Sequence, residues 1–142
     1  MFDNKDDIRF EYLGLEGVTV MGPKPQLTRV IVNLVANAVQ AVEARMQEET
    51  EDGKEPEPGR VLVQLRHSSE DGFYDFVVED NGRGVSEENV PKLFTPNFTT
   101  KTGGTGLGLA ISRSILEKCG ATIGYSTSFA LGGACFTVRY PK

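Results

Sequence analysis

Leu27, Val30, Ile31, Leu34, Ala38 and Ala41 recur at three- and four-residue steps, a stripe that dictates a long amphipathic helix. Such a helix must lay its apolar face on a second layer, which the rest of the chain has to supply. Alternating segments supply it. Ile8 to Leu13 reads as a half-buried strand, and Val18 to Met21 as its short partner after a turn at residues 14–17. Val61, Val63 and Leu65 mark a second strand region, with Phe73 to Val78 beside it after the Asp71-Gly72 turn. Ala121 to Tyr125 and Cys135 to Tyr140 make two more strands, joined near Gly132-Gly133. Pro25 suits the first turn of the long helix. Ser86 can cap a short helix through Pro91, and Leu107 to Cys119 is helical in period with Gly120 at its C-terminal end. Glu48 to Gly59, dense in Glu, Asp, Pro and Gly, reads as a solvated, mobile loop. The expected fold is an α/β sandwich of two layers, a mixed sheet backed by helices on one face. Its 142 residues suit one compact domain over 1–142.

Charge narrows the function classes. Fifteen basic against twenty acidic residues leave a net charge of −5, which argues against a chain that coats nucleic acid or an anionic membrane. Two cysteines, Cys119 and Cys135, make neither a disulfide framework nor a four-ligand zinc site, and are expected as reduced, partly buried thiols of a cytoplasmic domain. His67 is the sole histidine, so no multi-histidine metal centre exists. Residues 1–7 carry no basic-then-apolar signal pattern, and Val30 to Ala41 is broken by Asn33, Asn37 and Gln40, so no bilayer span is expected.

Three polar constellations remain. Asn33 and Asn37 stand four apart on one stripe of the long helix, with Arg29 a further turn back. Asparagine is a mediocre helix former, so the pair either caps neighbouring loops or offers neutral oxygen to a hard cation such as magnesium beside phosphate oxygens. Glu79-Asp80-Asn81-Gly82-Arg83-Gly84 follows a strand directly. That is an ordinary turn, or a buried carboxylate that accepts from an exocyclic amine while glycines admit a flat ligand. Lys101-Thr102-Gly103-Gly104-Thr105-Gly106-Leu107-Gly108-Leu109 runs into a helix. Its backbone N–H groups and helix N-terminus suit phosphate, with Lys101 as a point charge, unless the loop is only a flexible connection. It is neither a Walker loop nor a dinucleotide fingerprint.

The three together, in this order, resemble the ATP-binding catalytic domain of bacterial sensor histidine kinases. Asn33-Leu34-Val35-Ala36-Asn37-Ala38 is similar to the family's N box and Asp80-Asn81-Gly82-Arg83-Gly84 to its first glycine box. Leu93-Phe94-Thr95-Pro96-Asn97-Phe98-Thr99-Thr100-Lys101 is similar to the F box and lid, and Gly104-Thr105-Gly106-Leu107-Gly108-Leu109 to the second glycine box. The lid resembles most the nitrogen-regulation type of kinase. The resemblance runs from about Ile8 to Tyr140-Pro141 and implies an α+β, two-layer Bergerat-type fold with a mobile ATP lid.

It also implies roles. Asp80 would accept from the adenine amine, with Gly82 and Gly84 making room for the ring. Asn37 would ligate Mg2+, and Asn33 would sit beside the phosphates. Lys101 would contact the outer phosphates, while Gly104, Thr105, Gly106, Leu107 and Gly108 would wrap them. Phe94 and Phe98 would anchor the lid. In ATP-hydrolysing members of the wider superfamily a glutamate stands where Asn33 does, one turn before the magnesium ligand. An amide cannot take a proton at neutral pH, so this chain resembles a kinase that holds ATP rather than an ATPase. The phosphoacceptor histidine belongs to a dimerisation domain absent from this chain, and His67, without helical heptads around it, is expected as a strand histidine. The implied function is transfer of the γ-phosphoryl group of ATP to that histidine within a two-component system. A response regulator lies downstream, the parent protein is free to be membrane-anchored, and these 142 residues alone are expected to be monomeric. The alternatives are a non-catalytic docking module that senses nucleotide, or an ATPase or serine kinase of the same superfamily.

Four departures stand out. Pro23-Lys24-Pro25 replaces an acidic residue before the N-box helix, Asn97 stands where an aromatic is common, and the loop after the long helix is extended. Cys135 is expected near the adenine, where a small hydroxyl residue is usual.

Overall fold

The computed structural model describes residues 8–14, 24–95 and 108–142. Five strands form one sheet in the order β1-β2-β3-β5-β4. They are β1 (Ile8–Gly14), β2 (Gly59–His67), β3 (Phe73–Asp80), β4 (Thr122–Thr127) and β5 (Ala134–Pro141), with helices α1 (Lys24–Glu51) and α2 (Gly108–Lys118) between them. β1 pairs parallel with β2, whereas β2–β3, β3–β5 and β4–β5 are antiparallel, so the sheet is mixed as expected.

Alternation along the strands divides the sheet into two unlike faces. Val61, Val78, Phe136, Val138 and Tyr140 join Leu27, Val30, Leu34, Ala38, Val42 and Met46 of α1 and Leu116 of α2 in one core. The helices therefore cover one face. The other face carries Gln64, Asp75, Glu79, Thr137 and Arg139, and there Arg139 grips Asp75 through two nitrogens at 3.1 and 3.4 Å.

Several local expectations are corrected. β1 is not half-buried: only Ile8 is covered, while Phe10, Tyr12 and Leu13 are exposed. Its described neighbour is β2, reached through the α1 crossover, and Val18 to Met21 lie outside the described residues. α1 continues to Glu51, into the span expected as loop. Glu is a good helix former, and the last turns are held by an Arg45–Glu49 pair at 2.6 Å, a Gln47–Glu51 hydrogen bond at 3.2 Å and an Arg83–Glu48 ion pair. The following segment is pinned too, because Arg45 donates to the Glu57 carbonyl at 3.0 Å and the Glu57 N–H donates to Glu49 at 3.2 Å. Between Ser86 and Lys92 there is no α-helix. The Ser86 carbonyl accepts from Asn89 and Val90, and a single 3-10 turn follows at Val90–Lys92. Gly120, at φ +75°, ends α2 as expected. Among the described residues no helix is long and apolar enough to cross a membrane.

Candidate nucleotide-binding site

One stripe of α1 serves as the spine. Asn33, Asn37 and Ala41 lie four residues apart beside the buried stripe of Leu34, Ala38 and Val42, which leaves the two amides half-buried. At the early end, the Asn33 Nδ2 donates to Ser112 Oγ of α2 at 3.1 Å. The same amide lies against Gly108, where a Cβ would come within 3.0 Å of it. At the late end, Gly82 presses on Ala41 so closely that a Cβ would stand 2.9 Å from the Ala41 carbonyl carbon. Eight residues of helix rise about 12 Å, so the points of α1 that touch Gly108 and Gly82 are about that far apart, with Asn37 between them.

Asp80 ends β3 and is 2 % exposed. Its Oδ1 accepts from the N–H of Gly82 at 2.8 Å and of Ala134 at 3.3 Å, and its carbonyl accepts from Gly133 at 3.1 Å. Gly133 is required by this approach, since a Cβ there would fall 2.5 Å from both Asp80 oxygens. Asn81 staples the turn from outside: its Oδ1 accepts from the Arg60 N–H at 2.7 Å and its Nδ2 donates to the Pro58 carbonyl at 3.0 Å. Gly84 adopts φ +75° over Tyr125, whose hydroxyl accepts from the Val85 N–H at 2.9 Å. The Tyr125 ring meets Phe136 edge-on at 5.3 Å, and Phe136 meets Phe94 at 6.5 Å. Phe94 thus packs between the core and the Arg113 guanidinium, 5.7 Å from its ring centre.

The expected residues fall as follows. Asn33, Asn37, Asp80, Gly82, Gly84 and Gly108 are brought to one side of the sheet around α1. Lys101, Gly104, Thr105, Gly106 and Leu107 lie outside the described residues, as do Asn97 and Phe98. His67 ends β2, exposed, with its ring 5.4 Å from Tyr74 across the hairpin, which is the strand histidine expected. Cys135 is corrected. It sits opposite Glu79 in the β3–β5 register, on the face away from Asp80, and Ala134, one residue earlier, reaches the Asp80 carboxylate. Both thiols are free, and burial, with the charge of Glu79 adding to it, holds the Cys135 thiol above the ordinary range.

Four contributors are not legible in the sequence: Ser112, Tyr125, Gly133 and Ala134. The Gly132-Gly133 doublet was the available signal, although it read only as a strand connection. Chemically, an ionised carboxylate only accepts hydrogen bonds and so matches an exocyclic amine. Among the described residues no three His, Cys, Asp or Glu side chains converge to hold a metal. The Asn37 amide oxygen is a donor of the kind a hard cation such as magnesium accepts beside phosphate oxygens and water.

Residues 22–142 match the family described as histidine kinase-, DNA gyrase B- and HSP90-like ATPase. Sensor histidine kinase ZraS of Salmonella typhi is 36% identical over 116 residues, covering 82% of this chain and 22% of its own length. The chain thus spans about a fifth of the length of the curated relatives it matches. Among solved structures, the nucleotide-free catalytic domain of histidine kinase ThkA superposes with a TM-score of 0.77 at 30% identity, covering 97% of this chain and 81% of that one. Full-length ShkA in complex with AMPPNP gives a TM-score of 0.69 at 26% identity, over 94% of this chain and 25% of that one. On the match over residues 22–142, the chain belongs to the histidine kinase-, DNA gyrase B- and HSP90-like ATPase family.

Proposed function

We propose that the chain binds ATP with magnesium and delivers the γ-phosphoryl group to a histidine of a separate dimerisation domain in a sensor kinase. The observation that carries this reading is the preset Asp80 carboxylate, fixed by backbone N–H groups at the end of β3, with Gly82 and Gly108 set against the two ends of the Asn33–Ala41 stripe of α1. Asp80 accepts from the adenine amine, and Gly82 and Gly84 leave the ring room to approach. The Asn37 oxygen holds the cation, which when bound neutralises the phosphate oxygens and orients the outer phosphoryl group. Asn33, tied to Ser112, lies beside the phosphates, and Lys101 with residues 104–108 closes around them.

Catalysis by such a site is mostly positioning and charge stabilisation. The imidazole nitrogen of the incoming histidine forms a bond to the γ-phosphorus as the bond to the β–γ bridging oxygen breaks, and ADP leaves with that electron pair. Asn33 offers an amide where water activation would need a base, so the bound nucleotide waits for the histidine. His67, exposed at a strand end, has no part in this. The phosphohistidine then supplies a response regulator. The 142 residues form one monomeric ATP-binding unit working in the cytoplasm, where ATP is held.

Calorimetric titration with a non-hydrolysable ATP analogue tests the site. Binding at millimolar Kd or tighter, strengthened by magnesium in the wild type and lost in Asp80→Asn, is expected. An Asp80→Asn variant that binds as well as wild type refutes the adenine assignment. Tight binding without transfer to any histidine domain would instead favour a nucleotide-sensing docking module.

A further inference from the structure

We infer that Glu79 and Ser128, which lie on the far side of the sheet from the nucleotide, are positioning residues that set the adenine-recognising geometry of Asp80. The inference rests on the reading of Asp80 as the acceptor for the adenine amine.

Glu79 and Asp80 are consecutive on β3 and so face opposite sides of the sheet. Glu79 is 8 % exposed and Ser128 2 % exposed. A carboxylate so covered must be hydrogen-bonded, and among the described residues its donors are neutral: Gln64 Nε2 at 3.0 Å and Ser128 Oγ at 3.0 Å. The Ser128 hydroxyl also accepts from the Leu131 N–H at 3.0 Å. The Ser128 N–H donates to the Gly133 carbonyl at 2.8 Å, and the Gly132 N–H donates to the Ser128 carbonyl at 2.9 Å. Residues 128–133 therefore make a closed turn with Ser128 at its root. The other end of that turn touches Asp80. Gly133 donates to the Asp80 carbonyl, Ala134 donates to Oδ1, and Gly133 leaves no space for a Cβ against either oxygen.

Two adjacent carboxylates thus hold one turn from both faces of the sheet. Phe129, at the tip, is fully exposed, so burial of its ring does not hold the turn. The Glu79–Ser128 bond is the buried side-chain anchor. Without it the turn keeps its backbone bonds but loses its side-chain anchor, and the small displacement that follows shifts the Ala134 N–H that aims Oδ1. The phosphate end of the site, about 12 Å away along α1, is untouched. Glu79 and Ser128 therefore govern selectivity for the base more than affinity for the phosphates.

The test compares ATP with inosine triphosphate, which carries a carbonyl in place of the amine, on the 142-residue chain with magnesium. Wild type is expected to prefer ATP, and Asp80→Asn to abolish that preference. Ser128→Ala is expected to lower ATP affinity by about tenfold, the worth of one hydrogen bond, and to leave inosine triphosphate affinity within about twofold. Glu79→Gln keeps an acceptor for Ser128 and should show a smaller loss in the same ratio, and it carries the test if Ser128→Ala does not fold by circular dichroism. Equal weakening of both nucleotides, or no change in the ratio, while Asp80→Asn still abolishes it, overturns the positioning role and leaves the reading of Asp80 standing. A wild type without preference for ATP, or a preference that survives in Asp80→Asn, overturns both.

Discussion

Two side chains decide what this site can do with a bound nucleotide. On the proposed reading Asp80 selects by accepting, and Asn33 withholds general-base chemistry because its amide nitrogen is a donor, engaged with Ser112 Oγ at 3.1 Å. Asn33→Glu places a carboxylate at that point while Ser112 can still donate to it. ATP hydrolysis by the variant, followed as phosphate release, should rise at least about tenfold over wild type, within the range a positioned base contributes. An unchanged rate would show that something other than the missing base restrains hydrolysis. Asp80, Asn33 and Asn37 were legible in the sequence because amides in an apolar stripe and an acid before alternating glycines break local expectation. Gly133 and Ala134 were not, since their role exists only where the start of β5 is brought against Asp80, more than fifty residues earlier in the chain. The misplacement of Cys135 has the same origin: a one-residue error in a strand exchanges the faces of the sheet.

α1 is the element on which both stability and site spacing depend. Leu34, the residue after Asn33, is completely buried in the core. Leu34→Ala should cost about 2–5 kcal/mol of unfolding free energy in a urea titration, as cavity-forming changes do. A loss below about 1 kcal/mol would mean that the helix does not carry the core. The last turn of α1, Glu48 to Glu51, reads as loop in the sequence because its residues are all polar. Their order comes from the Arg45–Glu49–Glu57 ties, which lie outside the apolar period. Burial alone would raise the Glu49 carboxyl, but the Arg45 guanidinium, the Glu57 N–H and the charge of Lys54 outweigh it and hold it below the ordinary glutamate range. A depressed folded-state pKa stabilises above the unfolded pKa, and that contribution is lost as pH falls through the folded value. Glu49→Gln should therefore unfold earlier in urea than wild type at pH 7, and the two curves should converge in strong acid. A gap that persists there would point to packing rather than charge. β1 shows the opposite limit of legibility: its alternation revealed a strand, while its parallel partner depends on where the α1 crossover lands.

At the scale of the molecule, one helical layer on a mixed sheet leaves a second face where Gln64, Asp75, Glu79, Thr137 and Arg139 surround buried Leu62 and Val77, and the two faces do different work. The inner face gathers the core and the nucleotide site. The outer face, through Glu79 and Ser128, holds the turn that backs Asp80. The chain spans about a fifth of the length of sensor histidine kinases such as ZraS and FixL, and its histidine is a strand residue remote in character from a phosphoacceptor. The central claim is therefore about delivery, and phosphotransfer from γ-labelled ATP to a histidine-bearing dimerisation domain tests it most directly. With the wild-type chain, magnesium and that domain, label should appear on the histidine as an acid-labile phosphoramidate, and the chain alone should acquire none. Asn37→Ala should abolish the transfer. Undiminished transfer by Asn37→Ala, or acid-stable label on the 142-residue chain itself, would contradict the account.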